Sequence, residues 1–172
     1  MREYFLESER LSFSIWGKDD FNLAKELWGN DEVAKYISIN SHFTDEEIRN
    51  RLKTELKNDK EHNVQYWPIF LNKTNQFVGC CGLRPYDIEK NIYEIGIHLL
   101  PKFWGQGFAS EAINKVIEYA FNELKVDKLF AGHNPNNSAS KKLLTKVGFK
   151  FIREEYYAPT GLMHPSYLYE KY

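Results

Sequence analysis

Leu11, Phe13 and Ile15 alternate with polar neighbours, a period-two pattern that predicts a first β-strand. Asp19 and Asp20 then offer a cap to a helix that carries Phe21, Ala24, Leu27 and Trp28 on one side. A second helix opens at Thr44. There Thr44 and Glu47 have capping-box spacing, and Ile48, Leu52 and Leu56 follow at four-residue intervals. Two strands come next, Val64 to Leu71 and Gln76 to Leu83, joined by a hairpin turn over Asn72 to Asn75. Pro68 inside the first of them points to an edge or a bulge. The loop Arg84 to Asn91 leads to a strand ending at Leu100, a glycine-spaced turn, and a helix from Phe108 to Leu124. That helix has a wide apolar stripe of Ala112, Ile113, Val116, Ile117, Ala120, Phe121 and Leu124. Lys128 to His133 reads as a strand, and Asn137 to Val147 as a helix ended by Gly148. Phe149 to Tyr157 and Ser166 to Tyr172 read as closing strands. The pattern predicts an α/β single domain over residues 1–172, a mixed central sheet flanked by about four helices, without repeats or linkers.

Composition narrows the class. Of the 172 residues 42% are hydrophobic and 16% aromatic, enough for one packed core. A formal net charge of -1 argues against a nucleic-acid partner, whose phosphates call for clustered Lys and Arg. Neither an N-terminal apolar stretch nor a long apolar run is present, so no secretion signal and no membrane partner are expected. Cys80 and Cys81 are neighbours in a strand and point to opposite faces. Such a pair staples no loop, and with no Cys or His at zinc spacing it predicts buried thiols and no metal. A reducing, cytoplasmic compartment is expected.

The segment Ile92 to Leu124 carries the most chemistry. Strand, turn and helix follow one another, so free N–H groups at the helix start face whatever lies beyond the strand, and such a start attracts phosphate. The turn Trp104-Gly-Gln-Gly-Phe-Ala109 lacks the Gly-Lys-Ser/Thr of a P-loop. A dinucleotide fingerprint would place Gly where the chain has Ser110, and its acidic residue would end the next strand, whereas Asp127 precedes it. Taken alone, the two glycines also fit a plain tight turn.

A third pattern fits better. Trp104 to Ala109 resembles the acyl-coenzyme A signature of the GNAT N-acetyltransferases, with Gly107 and Ala109 in register and Trp104 in place of Gln or Arg. In the branch of ribosomal-protein N-terminal acetyltransferases the form Pro-x-x-Trp-Gly-x-Gly-x-Ala-x-Glu-Ala is common, and Pro101 to Ala112 matches it throughout. The segment Asn134 to Ser140, followed by Leu143 to Phe149, is similar to that branch's second cofactor segment. The order of elements is also the family's.

The resemblance implies an acetyl-CoA-dependent N-acetyltransferase of the GNAT fold, acting on a primary amine. The branch suggests a protein N-terminal α-amine, and a small amine (antibiotic, polyamine or amino acid) is the alternative. A sensor domain that binds acyl-CoA without catalysis is a reading of another class. The implied partners are acetyl-CoA and the acceptor, with the chain a monomer or homodimer. The pyrophosphate would meet main-chain N–H groups from Gly105 through Gln106, Gly107, Phe108 and Ala109 to Ser110, beside Trp104. The pantetheine arm would run along Leu99 and Leu100, with Asn137 reaching it from the last helix.

Strand alternation puts Glu94, Gly96 and His98 on one face, with the glycine making room between two ionisable side chains. Glu94 is the first candidate for a general base acting through water, because the family often places a carboxylate there, and His98 is the second. The N–H of Leu99 or Leu100 would polarise the thioester oxygen. Many family members keep a tyrosine in the last helix to protonate the thiolate, but the matching residue is Leu144. Ser140, one turn earlier, is the substitute acid, its alternative role being to satisfy donors at the helix start. Trp28, Tyr36, Phe43 and a loop Pro159 to Pro165 would form the acceptor site, with His164 either touching substrate or exposed to solvent. The tyrosines near the end, Tyr156, Tyr157, Tyr167, Tyr169 and Tyr172, would either line that pocket or pack the sheet.

Overall fold

The computed structural model describes residues 1–171. Eight strands form one sheet in the order β1-β2-β3-β4-β5-β6-β8-β7. They span Leu6–Glu7 (β1), Leu11–Phe13 (β2), Tyr66–Leu71 (β3), Phe77–Asp87 (β4), Ile92–Leu99 (β5), Lys128–Gly132 (β6), Lys150–Tyr157 (β7) and Leu162–Glu170 (β8). The helices are α1 (Phe21–Trp28), α2 (Asp31–Ala34), α3 (Asp45–His62), α4 (Phe108–Asn122) and α5 (Ser138–Val147). Five α-helices among the described residues replace the four expected. The extra one, α2, is a single turn capped by the Asn30 side chain, too short to show a period.

Local chemistry explains most element ends. Thr44 and Glu47 make both bonds of the capping box at the start of α3, at 3.2 and 3.3 Å. Asp20 stands at the N-cap of α1, but its carboxylate is diverted to Arg2 Nη2 (2.5 Å) and Gly17 N (2.8 Å) and caps nothing. Gly148 ends α5 with φ +105°, as expected of a helix C-terminus. Pro68 lies in an interior strand. It sits where β2 has already run out: Ser14 N donates to Pro68 O at 2.9 Å, and the missing N–H loses only the last bond of that ladder. The bulge it suggested falls next door, between Ile69 and Phe70.

Several expectations change. β4 runs on to Asp87, so Arg84 lies in a strand and not in the expected loop, and the two-residue β1 is too short to show a period. Ile15 is exposed and lies beyond β2, all three residues of which are buried. The last strand begins at Leu162, so β7 and β8 form a hairpin through residues 158–161, and Pro165 and His164 belong to a strand. Tyr172, the expected end of that strand, lies outside the described residues.

Helix α4 packs on β4 and β5, and α3 reaches β4 and α1. Neighbouring side chains of β3 show the two layers. Trp67 meets Tyr119 of α4 edge-on at 5.6 Å, while Tyr66 points to the other face and meets His98 edge-on at 5.9 Å. Cys80 and Cys81 are buried as free thiols. Burial pushes the Cys80 thiol up to about 12.

Candidate active site

Strands β5 and β6 are parallel and part early. Their register runs from Ile92↔Lys128 only to Glu94↔Phe130, although β5 continues to Leu99. The far edge of β5 therefore opens into a cavity of about 770 Å³.

Which main-chain groups face that opening follows from the other side of β5. Leu100 N donates to Val78 O at 2.9 Å. Bonded and non-bonded pairs alternate along an antiparallel ladder, so Gly79↔Leu99 is a non-bonded pair and the N–H of Leu99 turns away from β4, towards the gap. The Leu99 carbonyl oxygen accepts from Trp104 Nε1 at 2.8 Å. Of the two candidates for polarising a carbonyl oxygen, only Leu99 keeps its N–H for the purpose.

The turn after β5 is built around two left-handed residues, Gly105 (φ +71°) and Gly107 (φ +81°). A Cβ at Gly105 would meet nothing within 4 Å, and one at Gly107 only Arg10 Nη2 at 3.4 Å, so the cradle's surface stays bare backbone. Gly107 caps α4 without a side chain, which leaves the first N–H groups of the helix with no side-chain acceptor. Arg10 holds the turn from behind. Its Nη1 donates to Gln106 O (3.0 Å), its Nε pairs with Glu111 (2.7 Å), and its guanidinium lies 4.1 Å from the Phe108 ring centre.

Leu99, Trp104, Gly105, Gly107, Phe108, Ala109, Ser110, Asn137 and Ser140 line the cavity, as do Glu94 and His98. Leu100 and Gln106 do not. Leu100 is buried against β4, and the Gln106 side chain folds back to Lys102 O at 2.8 Å. Asn137 is the N-cap of α5, its side-chain oxygen accepting from Ser140 N at 3.2 Å. The Ser140 hydroxyl therefore caps nothing, and the structural role foreseen for it belongs to Asn137.

Glu94 and His98 share a face, but the space beside Gly96 is filled. A Cβ there would run into the Tyr66 ring. Tyr66 donates its phenol hydrogen to Glu94 Oε1 at 2.6 Å. Burial, then the Glu94 charge, hold that phenol well above its ordinary pKa, so it remains a donor. Beneath it Arg84 stacks 4.0 Å from the ring centre and pairs with the fully buried Glu55 at 2.7 Å.

His98 is held differently. Trp28 Nε1 donates to its Nδ1 at 3.1 Å, so the hydrogen of the neutral ring sits on Nε2. Burial, then the nearby Arg51 and Arg84, push its pKa well below the ordinary value and keep it neutral. Neither nitrogen then offers a free lone pair.

The expected acceptor wall is partly corrected. Tyr36, Tyr156 and Tyr157 line the cavity, whereas Trp28 is wholly buried and Phe43 packs 5.1 Å from the Arg51 guanidinium. His164 lines the cavity too, but it is a buried strand residue with Thr160 Oγ1 2.7 Å from its Nε2. Tyr167 and Tyr169 pack the sheet, with Tyr167 against Phe151 and Tyr169 against Phe149. Tyr66, Arg84, Glu55 and Arg51 were not singled out from the sequence. One signal pointed to two of them: Arg51 and Glu55 share the apolar stripe of α3 with Ile48 and Leu52, where a charge needs a reason to be.

No group of His, Cys, Asp and Glu side chains among the described residues could hold a metal ion. Nor is any helix among them long and apolar enough to cross a membrane.

Comparison with known proteins bears on the family and the fold. Residues 10–150 match the family described as acetyltransferase (GNAT) domain. An uncharacterized N-acetyltransferase, p20 of Bacillus licheniformis, is 33% identical over 146 residues, which cover 84% of this chain and 82% of that one. A crystal structure of a GNAT-family acetyltransferase from Bacillus anthracis superposes with a TM-score of 0.80 at 26% identity, covering 96% and 98% of the two chains. The ribosomal L7/L12 α-N-protein acetyltransferase RimL, solved in complex with coenzyme A, shares the fold with a TM-score of 0.81 at 15% identity over 98% of each chain.

Proposed function

The chain belongs to the GNAT acetyltransferase family, and we propose that it transfers the acetyl group of acetyl-CoA to a primary amine presented to Glu94. The observation that carries this reading is the Glu94 carboxylate. It faces the same cavity as the uncapped start of α4 and is oriented by the Tyr66 phenol at 2.6 Å.

In this reading the main-chain N–H groups from Gly105 to Ser110 meet the pyrophosphate, helped by the positive end of α4. The thioester lies at the parting of β5 and β6. An alkylammonium has a reference pKa near 10.4 and must lose a proton before it can attack. Glu94 takes that proton through a water molecule. The nitrogen lone pair then forms the C–N bond, and the Leu99 N–H stabilises the oxyanion. The adduct's nitrogen releases its second proton to solvent and the C–S bond breaks. Ser140 passes a proton to the thiolate and regains one from solvent, to which Glu94 also returns its own. His98 has no place as a base here, because Trp28 occupies its Nδ1 and its Nε2 carries the hydrogen. It helps to fix the wall beside Tyr66. We take the compartment to be the cytoplasm, where Cys80 and Cys81 would stay thiols.

A thiol-release assay with acetyl-CoA against small primary amines and N-terminal peptides tests the reading. Peptides belong in the panel because of Pro101 to Ala112, and small amines because the cavity, about 770 Å³, has to hold the thioester as well. Acetyl-CoA-dependent release with some amine is the expected result. Tight acetyl-CoA binding with no release from any amine would leave the sensor reading instead.

A further inference from the structure

Arg51 is a charge without an ion pair: Glu55, one turn along α3, acts on it only through its field, its oxygens being bonded elsewhere. Its guanidinium lies between the rings of Trp28 and Phe43, 4.9 and 5.1 Å from their centres, and reaches the cavity. Its Nε is buried and meets no hydrogen-bond partner. The carboxylates of this region are taken. Glu55 Oε1 accepts from Arg84 at 2.7 and 3.3 Å, Glu55 Oε2 accepts from Tyr66 N at 2.7 Å, and Glu94 Oε1 accepts from the Tyr66 phenol. Among the described residues no acid forms an ion pair with Arg51. The rings beside it attract a cation but cannot accept the in-plane hydrogen bonds of a guanidinium.

Holding a buried charge without an ion pair is expensive, and the cost is visible: burial, then Arg84, push the Arg51 guanidinium below its ordinary pKa, and the opposing pull of Glu55 does not make this up. An anion arriving with the substrate would remove that cost. Arg51 and Glu94 also address one region, since the Tyr157 phenol on the cavity wall lies in the field of both. A cation and a carboxylate facing one space match a ligand with the opposite pair of charges.

We propose that Arg51 binds a carboxylate of the acceptor, so that the substrates are small amino acids whose ammonium is presented to Glu94. This rests on the acetyl-transfer reading. The guanidinium supplies parallel N–H donors to both carboxylate oxygens, and the distance to Glu94 selects the spacing between acid and amine.

The test uses the full chain, acetyl-CoA and matched acceptors, namely α-, β- and γ-amino acids, each beside its own carboxamide. Wild type should favour the acid over the amide at least tenfold in kcat/KM for one spacing. Arg51→Met should shrink that ratio below about threefold, by raising KM for the acid more than KM for the amide. Arg51→Lys should recover part of it, as a charge without the planar fork. A wild type that treats acid and amide alike at every spacing overturns the inference, and so does a Met variant that loses both equally while the Lys variant is no better. Calorimetric binding of the N-acetyl amino acids in the presence of coenzyme A separates the two readings. Transfer to amines without acid preference removes the carboxylate site alone. Arg51-dependent acid binding without any transfer removes the acetyl-transfer reading alone, and the absence of both removes both.

Discussion

Tyr66 points its phenol at Glu94, 2.6 Å away, from a strand two places across the sheet, and its ring fills the space that Gly96 leaves. The glycine thus admits the residue that orients Glu94, the base of the proposed mechanism. Glu94→Gln should lower turnover by about 10² to 10⁴ while acetyl-CoA affinity changes little. Tyr66→Phe should keep the fold and lower turnover by about tenfold, because the carboxylate then loses its fixed orientation. Steady-state rates alongside coenzyme titrations check both, and an unchanged rate in the Gln variant would assign proton removal to solvent.

The bare backbone of the turn makes a second prediction. Acetyl-CoA at 100 times its dissociation constant should stabilise the protein by about 2.7 kcal/mol, read as a raised melting temperature, and NAD should not. Gly105 has φ +71° with open space beside it, so Gly105→Ala strains the chain by roughly 1 kcal/mol without a clash inside the protein. The melting shift with acetyl-CoA should fall in that variant, because the added methyl stands where the coenzyme would approach. A full shift would move the phosphate site away from this turn.

How much of this was legible in the sequence depends on range. The turn from Trp104 to Ala109, the capping box at Thr44 and the face shared by Glu94 and His98 are local, and one stretch of chain with a known period fixes them. Tyr66 could not be joined to Glu94 that way, since their meeting depends on the register of β3 and β5 against β4. Nor could Trp28 be recognised as the partner of His98, which requires packing α1 on the sheet. The division of labour between Leu99 and Leu100 likewise needed the bond from Leu100 to Val78. Arg51 and Glu55 were the exception, being charges on a core-facing stripe readable from spacing alone.

Asn137 caps α5, so at this helix start the stabilising residue is distinct from Ser140, the acid of the proposed mechanism. Asn137→Ala removes the cap and should lower stability by about 1 kcal/mol. Ser140→Ala leaves that cap intact, so its melting temperature should hold while turnover falls and coenzyme affinity changes by less than about tenfold. Thermal melts and single-turnover rates on the same preparations distinguish the two. An equal rate in Ser140→Ala would leave water as the acid, which a thiol with a pKa near 8.5 permits.

His98 yields the pH prediction. Its folded-state pKa lies well below the ordinary 6.5, so between the two values the unfolded chain binds a proton that the folded protein does not. Stability contributed by the neutral ring is therefore full above about pH 6.5 and declines as pH falls towards the folded value, by up to about 1.4 kcal/mol per pH unit. His164, also lowered by burial, adds a slope of the same sign. His98→Asn keeps an acceptor for Trp28 Nε1 and removes the titration, so the acid-side loss of stability should shrink in melts taken from pH 7 to 5. Its pH-rate profile should match that of wild type. A profile that loses its acid limb in the Asn variant would return the role of base to His98.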